Sequence, residues 1–177
     1  MRMPHVHAAS SASPLVGVQR ALDRLASAAI AIAAAALLAL VAVQGWQVFA
    51  RYVLNDSPSW TEPVTLLLLS TAMSLGAACG VHEGRHFGFF LLAQRTPAGL
   101  RRVFEAIAPL VMLALGVVLA GWSAVLLADG LHIKTAGAPL PQSINYAPLC
   151  LGGALIAVFA LFRLMRVLAG VGQDKEA

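Results

Sequence analysis

The sequence predicts an all-α polytopic membrane protein with four transmembrane helices and both termini in the cytoplasm. Three observations predict it. Of the 177 residues, 59% are hydrophobic and 11% charged, against roughly 45–50% and about 25% in a soluble domain. Four apolar stretches, at about 26–49, 64–81, 107–128 and 146–162, hold 24, 18, 22 and 17 residues. Each is close to the roughly 20 that an α-helix needs to cross about 30 Å of hydrocarbon. The third observation is charge placement. Ten of the 12 Lys and Arg residues lie before the first stretch, between the second and third, or after the fourth; only Arg51 and Lys134 lie elsewhere. The positive-inside rule therefore puts both termini and the central loop in the cytoplasm. The net charge of +4 follows the membrane in this way and calls for no nucleic-acid partner.

Residues 1–19, with Pro4, Pro14 and several Ser and Ala, read as a poorly ordered cytoplasmic lead, 20–170 as the membrane domain and 171–177 as a cytoplasmic tail. The first stretch is too long for the 7–15-residue core of a signal peptide and has no small-x-small exit, so it is a retained span. In its outer half Gln44, Gln47 and Arg51 recur at i, i+3 and i+7 along one helix face. Such a stripe either turns toward protein or water or lies within snorkelling reach of the outer interface. Asn55, Asp56, Ser57 and Pro58 form a dense turn signal before Trp60 and Glu62. Glu62, at the start of the second span, complements the positive end of the helix dipole, and a charge-assisted bond to Arg51 is expected to add to this.

In the second span Ala72, Gly76, Gly80 and Gly84 recur every fourth residue, a small-residue groove against which another helix can approach closely. The segment from His82 to Leu92 passes from charged to aromatic and aliphatic residues and suits an amphipathic piece in the inner interface. The loop from Asp129 to Ser143, with Pro139 and Pro141, reads as irregular extended chain. Trp46, Tyr52, Trp60, Trp122 and Tyr146 all fall on the outer side, where Trp and Tyr favour the headgroup level.

Little here points to catalysis. His82 and His86 share a helix face at i, i+4, as metal or haem ligands sometimes do, but polar residues at a membrane boundary have the same spacing. His132 lies near the opposite face, so no pair at matching depth can hold a haem. Cys79 and Cys150 lie at different depths, too far apart for a disulfide, whose Cα atoms stand within about 7 Å. No hydrolase, redox or metalloprotease motif is present. The chain is not expected to be an enzyme, and no catalytic, substrate-binding or metal residue and no cofactor is assigned. No acidic residue lies deep in any span, whereas coupled transporters usually need membrane-depth carboxylates or broken helices for their ions. This chain alone is a poor transport pathway.

The run Arg51-Tyr52-Val53-Leu54-Asn55, the Trp60-x-Glu62 leading into the second span and the inner Glu83-x-Arg85-His86 resemble the small, Q-type membrane subunit of tripartite ATP-independent periplasmic (TRAP) transporters. The resemblance covers roughly residues 20–170. The chain departs from many members in having Pro63 directly after Glu62, and Phe87 to Phe90 where an Asp commonly follows the inner His. The resemblance implies a bacterial inner-membrane protein working with a large polytopic subunit and a periplasmic substrate-binding protein in organic-acid uptake. Sodium coupling then belongs to the large subunit. Among the candidate residues, Gln44, Gln47, Gly76 and Gly80 come from the patterns above. Arg51, Asn55, Trp60 and Glu62 are assigned by the resemblance to the outer end, as structural anchors or docking contacts. Glu83, Arg85 and His86 are assigned to the inner end of the second span. Two other classes are carried beside this one: a membrane anchor subunit of a redox enzyme, and a self-sufficient small homo-oligomeric transporter or channel.

Overall fold

The computed structural model describes residues 14–56, 58–84, 98–137 and 141–169. They form four long helices: α1 (Pro14–Tyr52), α2 (Thr61–Glu83), α3 (Ala98–Asp129) and α4 (Ala147–Leu168). All four are long and apolar enough to cross a membrane. Each outruns its apolar stretch, because hydropathy marks only the part of a helix that lies in hydrocarbon. At 1.5 Å per residue the 39 residues of α1 reach about 58 Å. Helix α1 starts at Pro14, so residues 14–19 are helical and do not belong to an unstructured lead. Their place is fixed by packing: Leu22 is buried against α2 and α4, and Gln19 accepts a hydrogen bond from Arg166 of α4. Helix α4 likewise continues through Arg163 and Arg166, whose long side chains carry charge past the hydrocarbon edge.

The helices stand in an open row in the order α1, α2, α4, α3. Helix α1 packs on α2, α2 on α4 and α4 on α3, and no other pair of these helices makes extended contact. The seam of α1 is a 3-4 repeat of buried residues, Leu22, Ala26, Ala29, Ala33 and Ala36. Ala29 and Ala33 meet Leu75 and Cys79 of α2, and the Cys79 thiol donates to the Ala26 carbonyl at 3.3 Å. Alanine suits this seam because apolar surface gains nothing by leaving lipid for another helix; association comes from close backbone approach and good packing.

The α3–α4 crossing is tighter. A Cβ on Gly116 would stand 2.6 Å from the Ala157 nitrogen, and one on Gly153 would stand 2.7 Å from the Ala120 nitrogen. The two glycines thus let antiparallel helices touch backbone to backbone. Helices α2 and α4 run parallel and are joined at Ser74, whose hydroxyl donates to the Pro148 carbonyl at 2.9 Å, while Gly152 leaves room for it.

The loop after α3, predicted to be irregular, is organised. It opens with a 3₁₀ turn, Gly130–His132, and closes with another, Gln142–Asn145. Between them Lys134 and Pro141 form a bridge, and the Gln142 N–H donates to the Ile133 carbonyl at 2.8 Å. The predicted amphipathic segment falls largely in residues 85–97, outside the described residues, as do most of the predicted lead and the tail at 171–177.

Candidate functional site: the two ends of the helix row

One end of the row, the aromatic end, is built from the α1–α2 hairpin and the α3–α4 loop. Asn55 adopts a left-handed conformation at φ 57°, which Asn tolerates better than most residues. The resulting turn brings the Asp56 N–H back to the Ala50 carbonyl at 3.2 Å and ends α1. Thr61 is fully buried, and its hydroxyl donates to the Pro58 carbonyl at 2.8 Å. Pro63 occupies the first turn of α2 and is buried there. The N–H that proline lacks has no intrahelical acceptor at that position, so the departure from the resembled family costs α2 no helical hydrogen bond. The two loops meet where the Ser59 hydroxyl donates to the Gly137 carbonyl at 3.0 Å. They form one connected surface.

Arg51, Trp60 and Glu62 are exposed on or beside that surface. The expected Arg51–Glu62 bond is absent: among the described residues the ion pair is His82 with Asp23. An exposed pair of this kind contributes about 0–1 kcal/mol, too little to dictate where two long side chains point. The polar stripe on α1 is divided as well. Gln47 continues the seam toward α2 and is half-buried, whereas Gln44 is exposed.

In the middle of α2 a Cβ placed on Gly76 or Gly80 would meet nothing within 4 Å. Among the described residues nothing fills the predicted groove at these two positions, whereas Ala72 is buried and Gly84 is covered by Arg163. The glycines that do carry close packing are Gly116, Gly152 and Gly153, and of these the Gly152-Gly153 doublet inside an apolar run was the available signal.

At the opposite, basic end, Glu83 is exposed, and Arg85 and His86 lie outside the described residues. The residues that tie this end together were not among the candidates. His82 Nε2 lies 2.9 Å from Asp23 Oδ1, and its ring rests on Phe159 with centroids 4.8 Å apart, joining α1, α2 and α4. Arg163 of α4 donates to the Val81 carbonyl at 3.5 Å and covers Gly84, the left-handed residue that ends α2. A cation at this position complements the negative end of the helix dipole. The sequence carries no signal for either contact, since His82 and Asp23 stand 59 residues apart and Arg163 reaches α2 only through the packing of α4. His132 stands in the 3₁₀ turn after α3, away from His82. Among the described residues no group of three or more His, Cys, Asp or Glu could hold a metal ion.

The features of the arrangement are anchored helix ends, a bare groove and exposed apolar faces, all of which suit assembly. Residues 40–170 match the family described as tripartite ATP-independent periplasmic transporters, DctQ component. The chain belongs to this family. It is thus a TRAP transporter small membrane subunit, a multi-pass membrane component of a tripartite system. A search of the curated proteins finds no match. The DctQ match begins inside α1, so the alanine seam and the arginines of the first half of that helix lie before it.

Proposed function

We propose that this DctQ-family chain is the stationary scaffold of a sodium-coupled, binding-protein-dependent transporter that imports organic acids. It braces the large membrane subunit and presents its aromatic end to the periplasmic binding protein. The basic end then faces the cytoplasm, in line with the charge distribution and the Trp and Tyr belt. The observation that carries the reading is the open row of helices. A row in which α1 and α3 do not pack on each other encloses no path, and no charged residue stands between 25 and 50, 63 and 81, 106 and 128 or 147 and 162. Helix α3 is the least buried of the four, and Trp122 in its aromatic-end half is 68% exposed. Such a molecule supplies faces for a partner to rest on and no ion ligands at membrane depth.

Leu66, Leu69 and Met73, exposed on α2, share a face with the half-buried Gly76 and Gly80 and form with them the surface we assign to the large subunit. Co-expression with a large TRAP subunit tests this. One co-purifying complex in detergent is expected, and G76L should reduce its recovery without unfolding this chain. Failure of the two subunits to co-purify would remove the scaffold reading, and flux through this chain alone would favour a small homo-oligomeric transporter.

A further inference from the structure

At the basic end α1 and α4 together carry four guanidinium groups, Arg20 and Arg24 on α1 and Arg163 and Arg166 on α4. The helices are held together there. Leu22 and Ala26 share one buried cluster with Phe159 and Ala160, and Arg166 donates at 3.5 Å to Oε1 of Gln19, the residue before Arg20. Asp23, the carboxylate on the same turn of α1, is taken up by His82. Among the described residues none of the four arginines has a carboxylate within ion-pair distance. Arg163 turns inward to α2, whereas Arg20, Arg24 and Arg166 are exposed.

This surface is not purely cationic. Val16 and Val18, just before Arg20, are 42% and 46% exposed, and Met165 and Leu168, on either side of Arg166, are 50% and 74% exposed. Guanidinium groups interleaved with bare apolar side chains, near the ends of two helices long and apolar enough to cross a membrane, match a ligand with both a phosphate and acyl chains. A free anion or an acidic peptide would satisfy only the cationic half. Arginine is suited to the task, since its planar fork binds phosphate oxygens in pairs and sheds water readily.

We propose that the junction of α1 and α4 at the basic end binds an anionic membrane phospholipid, with its phosphate at Arg20 and Arg166 and its acyl chains on the flanking apolar side chains. The inference is independent of the transporter mechanism and needs only that both helices cross a membrane. To test it, the full chain in detergent is offered phosphatidylglycerol and phosphatidylcholine with the same acyl chains, and retention is read by native mass spectrometry. Phosphatidylglycerol is expected to be retained preferentially. Each arginine near an anionic lipid contributes about fivefold in affinity. R20Q/R166Q should therefore lose most of the preference, R20K/R166K should keep most of it, and K134Q at the aromatic end should leave it unchanged. Equal retention of the two lipids by the unaltered chain would overturn the proposal, as would an unchanged preference in R20Q/R166Q of normal helicity. Displacement of phosphatidylglycerol by excess inorganic phosphate would also overturn it, by assigning the arginines to a free anion.

Discussion

Gly116 and Gly153 each stand so close to the backbone of the facing helix that one added methyl group forces α3 and α4 apart. G153A should destabilise the isolated chain by about 1–3 kcal/mol, the usual range for overpacking, measured as a lower midpoint of unfolding in detergent. G76A, whose Cβ meets nothing within 4 Å, should leave that midpoint unchanged or raise it. Equal effects at the two positions would mean that the α3–α4 crossing is looser than described. Ser74→Ala removes one interhelical hydrogen bond and should cost about 0.6 kcal/mol, the average for such bonds in a membrane. Glycine spacing alone did not separate these cases. The four-residue repeat of α2 is plain in the sequence, yet among the described residues its two middle glycines, Gly76 and Gly80, face nothing within 4 Å, while Gly116 has no partner at regular spacing and acquires its importance only from the facing Gly153.

Helix α2 depends on different devices at its two ends. Its start is closed locally, by Thr61, Pro58 and Pro63, and its end is closed from a distance by Arg163 reaching the Val81 carbonyl and covering Gly84. R163M should loosen the last turn by about 1 kcal/mol, on the scale of a partly buried cation at a helix end. The check is hydrogen exchange, which should speed up at amides 80–84 and stay unchanged at 64–68; uniform acceleration would point to global destabilisation instead. Glu62 belongs to the start of α2, where its carboxylate complements the dipole by roughly 0.3–1 kcal/mol and stays exposed to a partner. E62Q should lower uptake through complex yield or coupling to the binding protein, with the sodium dependence of the remaining uptake unaltered. A changed sodium dependence would place Glu62 on the ion pathway. The turn ahead of the helix was legible in the signal from Asn55 to Pro58, whereas the closing bond comes from Thr61 and the Trp60 side chain makes no capping hydrogen bond. The distal closure was not legible, because Arg163 and Gly84 are brought together only by the parallel packing of α2 and α4.

For the whole molecule, the number of long apolar helices was legible because hydrocarbon thickness fixes the length of an apolar stretch, whereas the helix ends were not, because each helix continues past its apolar stretch. The order α1, α2, α4, α3 could not be read from hydropathy. In lipid the packed and exposed faces of a helix are both apolar, so the alanine seam of α1 is indistinguishable from the alanines around it at 31, 34, 35 and 39. The proposed orientation is tested by fusing a reporter active only outside the cytoplasm. It should be silent after Lys175 and active after Asp56 or Lys134, and activity at the C-terminus would contradict four spans with cytoplasmic ends. The central claim, that this chain is a necessary scaffold which does not transport alone, is tested most directly by uptake into proteoliposomes assembled with and without it. Organic-acid uptake is expected only when both membrane subunits, the binding protein and an inward sodium gradient are present. Sodium-driven uptake by the large subunit and binding protein without this chain would contradict it.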